Sequence, residues 1–150
     1  MRVYRIQKAK HALDISGFGS TLVSGRWHHA GKGPILYTSS NISLAILECV
    51  VHLPPGVTPP DLLLLSLEIP AGGIVTISEA DLPDNWNKKG YYDNVQRWGT
   101  EWLQNLKSLA VVVPSVTSSD FNVLVNPKHP DFALVKVTES KSITLDDRLI

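Results

Sequence analysis

The chain has 150 residues and carries 14 Lys+Arg against 14 Asp+Glu, a net charge of zero. That balance argues against a nucleic-acid binder, which shows a basic excess or stripe, and still allows a small anionic ligand, since one or two arginines suffice for a phosphate. Cys49 is the sole cysteine, which excludes an internal disulfide and argues against a thiolate zinc site.

The length suits one domain over residues 1–150. The first segment, "VYRI" at 3–6, reads as a strand, and an irregular stretch punctuated by Gly17, Gly19 and Gly25 follows. "PILYTSS" (34–40) reads as a short strand entering a turn. "SSNISLAILECVVHL" is the clearest helix, capped by Ser39, Ser40 or Asn41 and stopped by Pro54-Pro55. Its periodicity predicts an apolar stripe of Ile42, Ile46, Val50 and Leu53, with Leu47 and Val51 beside it. Asn41, Ala45, Glu48 and His52 form a second stripe. "PPGVTPPD" (54–61) reads as a rigid connector, "LLLLSLEIP" as a buried strand and "IVTIS" as another. "LPDNWN" reads as a turn. Residues 93–107 are predicted to form an amphipathic helix burying Val95, Trp98, Trp102 and Leu106, with Gly99 costing about 1 kcal/mol inside it. "LAVVVPS", "NVLV" and "ALVKVTES" are predicted strands, and "SITL" a candidate last one. Many strands and few helices, without regular alternation, predict a compact α+β domain with a largely antiparallel or mixed sheet.

The longest apolar run, "LLLLSLEI" at 62–69, is far below the roughly 20 residues of a membrane-spanning helix. The N-terminus lacks the apolar core of a signal peptide. A soluble, cytoplasmic protein with no membrane partner is therefore expected. Zero net charge removes one defence against self-association, so a homo-oligomer is a further expectation.

Neither a Walker-type phosphate loop nor a G-x-G-x-x-G turn is present, and no H-E-x-x-H occurs. The five histidines are scattered, and the adjacent pair at 28–29 would point to opposite sides of a strand, so no metal site is expected. Several side chains carry two readings each. Arg26 is either a surface arginine stacked on Trp27 or a fork for phosphate oxygens. Glu48 either lies with His52 on a solvated stripe or faces a cleft, where its charge would stabilise a cation or activate a nucleophile. Tyr37 is either core or a ring on which a flat ligand stacks. Ser115 is either a turn residue or a hydrogen-bond donor into a site. "NPKHP", which begins at Asn126, is first of all a rigid turn.

Taken together, Arg26, Glu48 and Ser115 resemble the signature of the RES domain family, named for an arginine, a glutamate and a serine. "GRW" at 25–27 is similar to the family's glycine-arginine-aromatic opening. Gly33-Pro34 with Tyr37 is similar to its G-x-P-x-x-Y-x-S segment. "SLAILE" (43–48), Pro114-Ser115 and "NPKHPDF" (126–132) follow in the family's order, so the resemblance runs from residue 4 to about 137. Two features depart: Gly33 abuts Pro34, where the pattern has a residue between, and His28 stands where the pattern has asparagine.

The resemblance implies a fold similar to ADP-ribosyltransferase toxins, an α+β core around a split sheet. It also implies the toxin half of a bacterial toxin–antitoxin pair, with an Xre-type helix-turn-helix antitoxin as partner. The implied activity is degradation of NAD, as substrate and without another cofactor, at the nicotinamide–ribose bond, by water or by phosphate. On that reading Glu48 stabilises the cationic ribose and Arg26 holds the pyrophosphate or an attacking phosphate. Tyr37 packs on nicotinamide or its ribose. Ser115 hydrogen-bonds the ribose or the carboxylate, and Asn126 supplies a nearby polar contact. A mono-ADP-ribosyltransferase and a non-catalytic nucleotide-binding module are the alternatives. Zero net charge counts against a third, a ribonuclease toxin.

Overall fold

The strands are β1 (Arg2–Lys8), β2 (Leu36–Ser39), β3 (Leu62–Glu68), β4 (Ile74–Thr76), β5 (Ala110–Pro114), β6 (Phe121–Val125) and β7 (Lys136–Ile143); apolar runs build β3, β5 and β6, whereas β7 is polar and lies at the sheet edge beside β3. Two α-helices join them, α1 (Ile42–Val51) and α2 (Tyr92–Asn105). The computed structural model describes residues 1–57, 59, 61–90 and 92–150; Thr58 and Pro60 of the expected connector lie outside them. The strands make one mixed sheet in the order β4-β5-β6-β2-β1-β3-β7, and the fold is α+β. All the strand pairings are antiparallel except β4 with β5.

The split expected in the sheet takes the form of a seam. β1 pairs with β3 along its whole length, from Arg2↔Glu68 to Lys8↔Leu62. β2 pairs with β6 throughout. Between β1 and β2 a single register pair, Tyr4↔Ser39, keeps the sheet continuous. α1 packs against both β1 and β2 and so spans the seam.

Both faces of the β5–β6 half are covered. Ala110, Val112, Val123 and Val125 join a core with Val3, Leu36, Leu65 and Leu67. The alternate residues Val111, Val113 and Leu124 pack with Trp27, Trp86, Val95 and Trp102 on the other face. Burial on both faces is why "AVVVP" and "VLV" read as unbroken apolar runs rather than alternating ones.

Several local expectations are corrected. On α1 the residues facing inward are Leu44 and Ala45, whereas Ile42, Leu47 and Val51 are exposed. The helix is apolar on nearly every side, so periodicity offered little contrast, and the stripe with the polar residues is the inner one. The cap is Asn41, whose Oδ1 accepts from the Leu44 N–H at 2.8 Å. α2 ends at Asn105; Leu106 takes a left-handed conformation (φ 53°) and is exposed, and Leu103 fills the core position instead. "SITL" forms no separate strand, because Ser142 and Ile143 continue β7, while Ala133 and Leu134 belong to a 3-10 turn before it.

Gly99 has a structural reason. A Cβ there would lie 1.8 Å from the carbonyl oxygen of Trp27, so only glycine lets α2 lie directly on the 24–29 loop. That loop is then riveted to the helix: the Gln96 side-chain amide donates to the Gly25 carbonyl at 2.8 Å, and the His29 N–H to Thr100 Oγ1 at 3.2 Å.

Candidate active site

The seam opens into a cavity of about 920 Å³, within the range of ligand sites. Its walls come from β1, the 24–28 loop, β2, the inner stripe of α1 and the β5–β6 hairpin. Arg26, Tyr37 and Glu48 all line it. Arg26 and Glu48, far apart in sequence, therefore share one concavity.

Glu48 sits on the α1 stripe that also carries Ala45 and His52, both lining the cavity. A small alanine one turn before it leaves room for the carboxylate. Oε1 accepts three hydrogen bonds, from Asn122 Nδ2 at 2.9 Å, Thr117 Oγ1 at 3.1 Å and Ser115 Oγ at 3.2 Å. No donor among the described residues contacts Oε2, and Glu48 forms no ion pair among them. One oxygen is thus anchored and the other is left for a ligand. His52 donates from Nδ1 to the Glu48 backbone carbonyl at 2.7 Å, closing the helix end.

Arg26 is not stacked on Trp27. Trp27 is buried between Trp86 and Trp98, with ring centroids 5.9 and 5.6 Å away. The guanidinium lies over the ring of Tyr92, 4.7 Å from its centroid. Nη1 donates to the Trp86 carbonyl at 3.0 Å and Nη2 reaches Tyr92 Oη at 3.4 Å. Among the described residues no carboxylate pairs with it, so its charge is available to an anion, in an orientation fixed by neutral partners.

Tyr37 and the unexpected His28 form a unit. His28 is buried. Its Nε2 lies 2.7 Å from the Ser20 carbonyl, which only accepts, so Nε2 bears the proton. In the neutral ring Nδ1 is then an acceptor, and Tyr37 Oη donates to it at 2.7 Å. Burial pushes the Tyr37 hydroxyl pKa well above its ordinary value, outweighing the nearby Trp27 N–H and Arg26, which favour ionisation. A Cβ on Gly25 would sit 2.7 Å from Tyr37 Oη, which explains the glycine of "GRW".

Ser115 is buried behind Glu48 rather than in the cavity wall. Of its two expected partners, the structure gives it the carboxylate. Asn126 is a correction. It is fully buried, its amide donates to the Leu103 carbonyl at 2.8 Å, and its Oδ1 accepts from the Lys128 N–H at 3.0 Å. One polar group ties the end of β6 to α2 and the other closes the turn that follows, both outside the cavity.

Sequence reasoning missed three residues. Arg5 lines the cavity; its Nε donates to Gln7 at 3.0 Å and its Nη1 to the Tyr37 carbonyl at 2.9 Å. Burial lowers its pKa, with Asp14 opposing. The available signal was two polar residues, Arg5 and Gln7, at period two on a strand. The others are Thr117 and Asn122. Cys49 also lines the cavity, and burial raises its thiol pKa. Among the described residues no cluster of His, Cys, Asp or Glu could hold a metal ion, and no helix is long and apolar enough to cross a membrane.

Comparison with known proteins bears on the family and the fold. The chain is 34% identical over 152 residues to a protein of Yersinia enterocolitica named Toxin Res, covering 99% of each. It is 33% identical over 153 residues to a Toxin Res of Photorhabdus laumondii, covering 100% of this chain and 97% of that one. It is 31% identical to a Sphingobium protein named Prs ADP-ribosylating toxin, covering 99% and 94%. A chain in the crystal structure of the M. tuberculosis MbcT–MbcA toxin–antitoxin complex superposes with a TM-score of 0.77 over 95% of this chain and 84% of that one; at 17% identity this likeness concerns the fold. The RES domain profile matches residues 2–146. With a family profile over nearly the whole chain and relatives at 31–34% identity along their length, the chain belongs to the RES domain family.

Proposed function

We propose that this protein is the toxin of a toxin–antitoxin pair and that it degrades NAD at the nicotinamide–ribose bond. The observation that carries the reading is Glu48: a carboxylate anchored through one oxygen, with no donor on the other and in the same cavity as an arginine without a carboxylate partner, both among the described residues. When the C1′–N bond breaks, its electron pair stays with the pyridine nitrogen and nicotinamide leaves neutral. Positive charge develops on the ribose. A fixed carboxylate beside that carbon stabilises the charge as it appears, which is where binding energy accelerates the reaction. Water adds its oxygen to C1′ and releases a proton, for which Oε2 is the free acceptor; phosphate adds in the same way. Arg26 holds the pyrophosphate or the attacking phosphate. Tyr37 offers its ring to nicotinamide or the ribose, held in place by His28.

The partner is an Xre-type helix-turn-helix antitoxin. Support comes from the structural neighbour, itself solved as a toxin–antitoxin complex, and from the relatives named toxins. The free charge of Arg26 suits inhibition by an acidic C-terminal tail of that antitoxin. An antitoxin lacking the tail should leave NAD cleavage running.

Purified protein incubated with NAD, with and without phosphate, tests the reading. Nicotinamide with ADP-ribose, or with its phosphorylated form, is expected; intact NAD would overturn it. The name of the Sphingobium relative favours a second reading, mono-ADP-ribosyl transfer to a protein. Label from adenine-labelled NAD appearing on protein would support that instead. A non-catalytic nucleotide-binding module would bind NAD without consuming it.

A further inference from the structure

Three donors converge on one oxygen of Glu48, but they are not equivalent. Ser115 Oγ and Thr117 Oγ1 lie 2.9 Å apart, and each lies within 3.2 Å of Glu48 Oε1. Two hydroxyls carry two protons, so at most two of these three contacts are hydrogen bonds at any moment. Whenever one hydroxyl donates to the other, only one reaches the carboxylate. Each is also the other's deputy: with either removed, the remaining proton has Glu48 as its nearest acceptor.

Asn122 has no deputy. Its contact is the shortest of the three, 2.9 Å. Its orientation is dictated, because Oδ1 accepts from the buried Ser39 hydroxyl at 3.1 Å. Turning the amide over would set its oxygen against Glu48 Oε1. Ser39 and Asn122 are also directly paired across β2 and β6, so the hydroxyl and the amide it holds both stand on paired strands.

We propose that Asn122, more than Ser115, is the residue that positions the Glu48 carboxylate, with Ser115 and Thr117 acting as an interchangeable pair. The proposal rests on the reading of Glu48 as the group that acts on NAD, and it concerns orientation, since Asn122 acts through Glu48.

The test compares four variants with NAD as substrate. Asn122→Ala should lower kcat by about 10- to 100-fold, the worth of a hydrogen bond to a charged group, with KM within a few-fold. Asn122→Asp keeps the size and the acceptor toward Ser39 but faces an oxygen to Oε1, and should be at least as damaging. Ser115→Ala and Thr117→Val should each cost less than about tenfold, and together more than the product of the two, because the deputy is then gone. Crystal structures of Asn122→Ala and Ser115→Ala give a readout independent of turnover. Glu48 should leave its present rotamer in the first and keep it in the second. The proposal is overturned if Ser115→Ala costs as much as Asn122→Ala, if Asn122→Asp keeps its kcat, or if Glu48 stays in place without Asn122. Wild-type protein that leaves NAD intact would sink the functional reading, and the two crystal structures would still decide the anchoring.

Discussion

Replacing Gly99 with alanine sets two opposed effects against each other. In an exposed helix interior the change would stabilise by about 1 kcal/mol through helix propensity. Here the new Cβ would lie 1.8 Å from the Trp27 carbonyl oxygen and 2.7 Å from its carbon, roughly 1.5 Å inside ordinary carbon–oxygen contact. The obstacle is backbone, so no rotamer change relieves it. α2 must retreat, which strains or breaks the Gln96–Gly25 and Thr100–His29 hydrogen bonds, each contributing about 1 kcal/mol. The packing of Trp27 against Trp98 opens at a further cost of about 1–3 kcal/mol. Subtracting the propensity gain leaves a net loss of about 2–4 kcal/mol, a Tm drop of roughly 4–16 °C for a domain of this size. Urea unfolding followed by tryptophan fluorescence reads this directly, since Trp27, Trp86 and Trp98 form one cluster. Gly19→Ala, where a Cβ meets nothing within 4 Å, is the control. An unchanged or raised midpoint for Gly99→Ala would refute the close-approach argument. A second consequence is functional: because Arg26 adjoins Trp27, the surviving folded variant should show a raised KM for NAD.

Glu48→Gln keeps the side chain's size and removes its charge; kcat for NAD loss should fall by about 10²–10³-fold with KM little changed, and a loss below tenfold would count against the role given to the carboxylate. Asn126→Ala should destabilise the fold by about 1–3 kcal/mol, because the buried Leu103 carbonyl loses its donor, while kcat per folded molecule stays at the wild-type value. Tyr37 predicts an alkaline limb. Its pKa is raised in the folded state, so above about pH 10 the unfolded chain releases a proton that the folded one keeps, and stability falls as pH rises, by up to about 1.4 kcal/mol per unit. Urea midpoints from pH 9 to 11 should show that slope and Tyr37→Phe should lose it, both in a Cys49→Ala background because the Cys49 thiol shifts in the same direction.

The inner strands β3, β5 and β6 were legible because they are apolar and bounded by Gly, Pro and Asn. Arg26, Glu48 and Ser115 stand in ordered local patterns, and the family resemblance singles them out. What stayed hidden depends on the third dimension. Asn122 and Asn126 have the same parity on or just past β6, and Leu124 between them packs on the same side. Spaced about 13 Å apart along the strand direction, one reaches the carboxylate and the other lies under α2. Strand periodicity cannot tell them apart. On α1 the apolar surplus masked the inner stripe, since hydrophobic pattern reports contrast and this helix has little. The glycine inside α2 read as a penalty because its reason, the Trp27 carbonyl, comes from a loop some seventy positions earlier.

The pairing of Tyr4 with Ser39 has a mechanical side. Seven strands pivot on one rung, with α1 laid across it as a splint. Spreading the two half-sheets would break that rung and the Arg5–Tyr37 hydrogen bond and strain the core that Val3 and Leu36 share, while each half keeps its own ladder. Ser39 is both the rung and the prop of the Asn122 amide, so any such spreading is transmitted at once to the aim of the carboxylate.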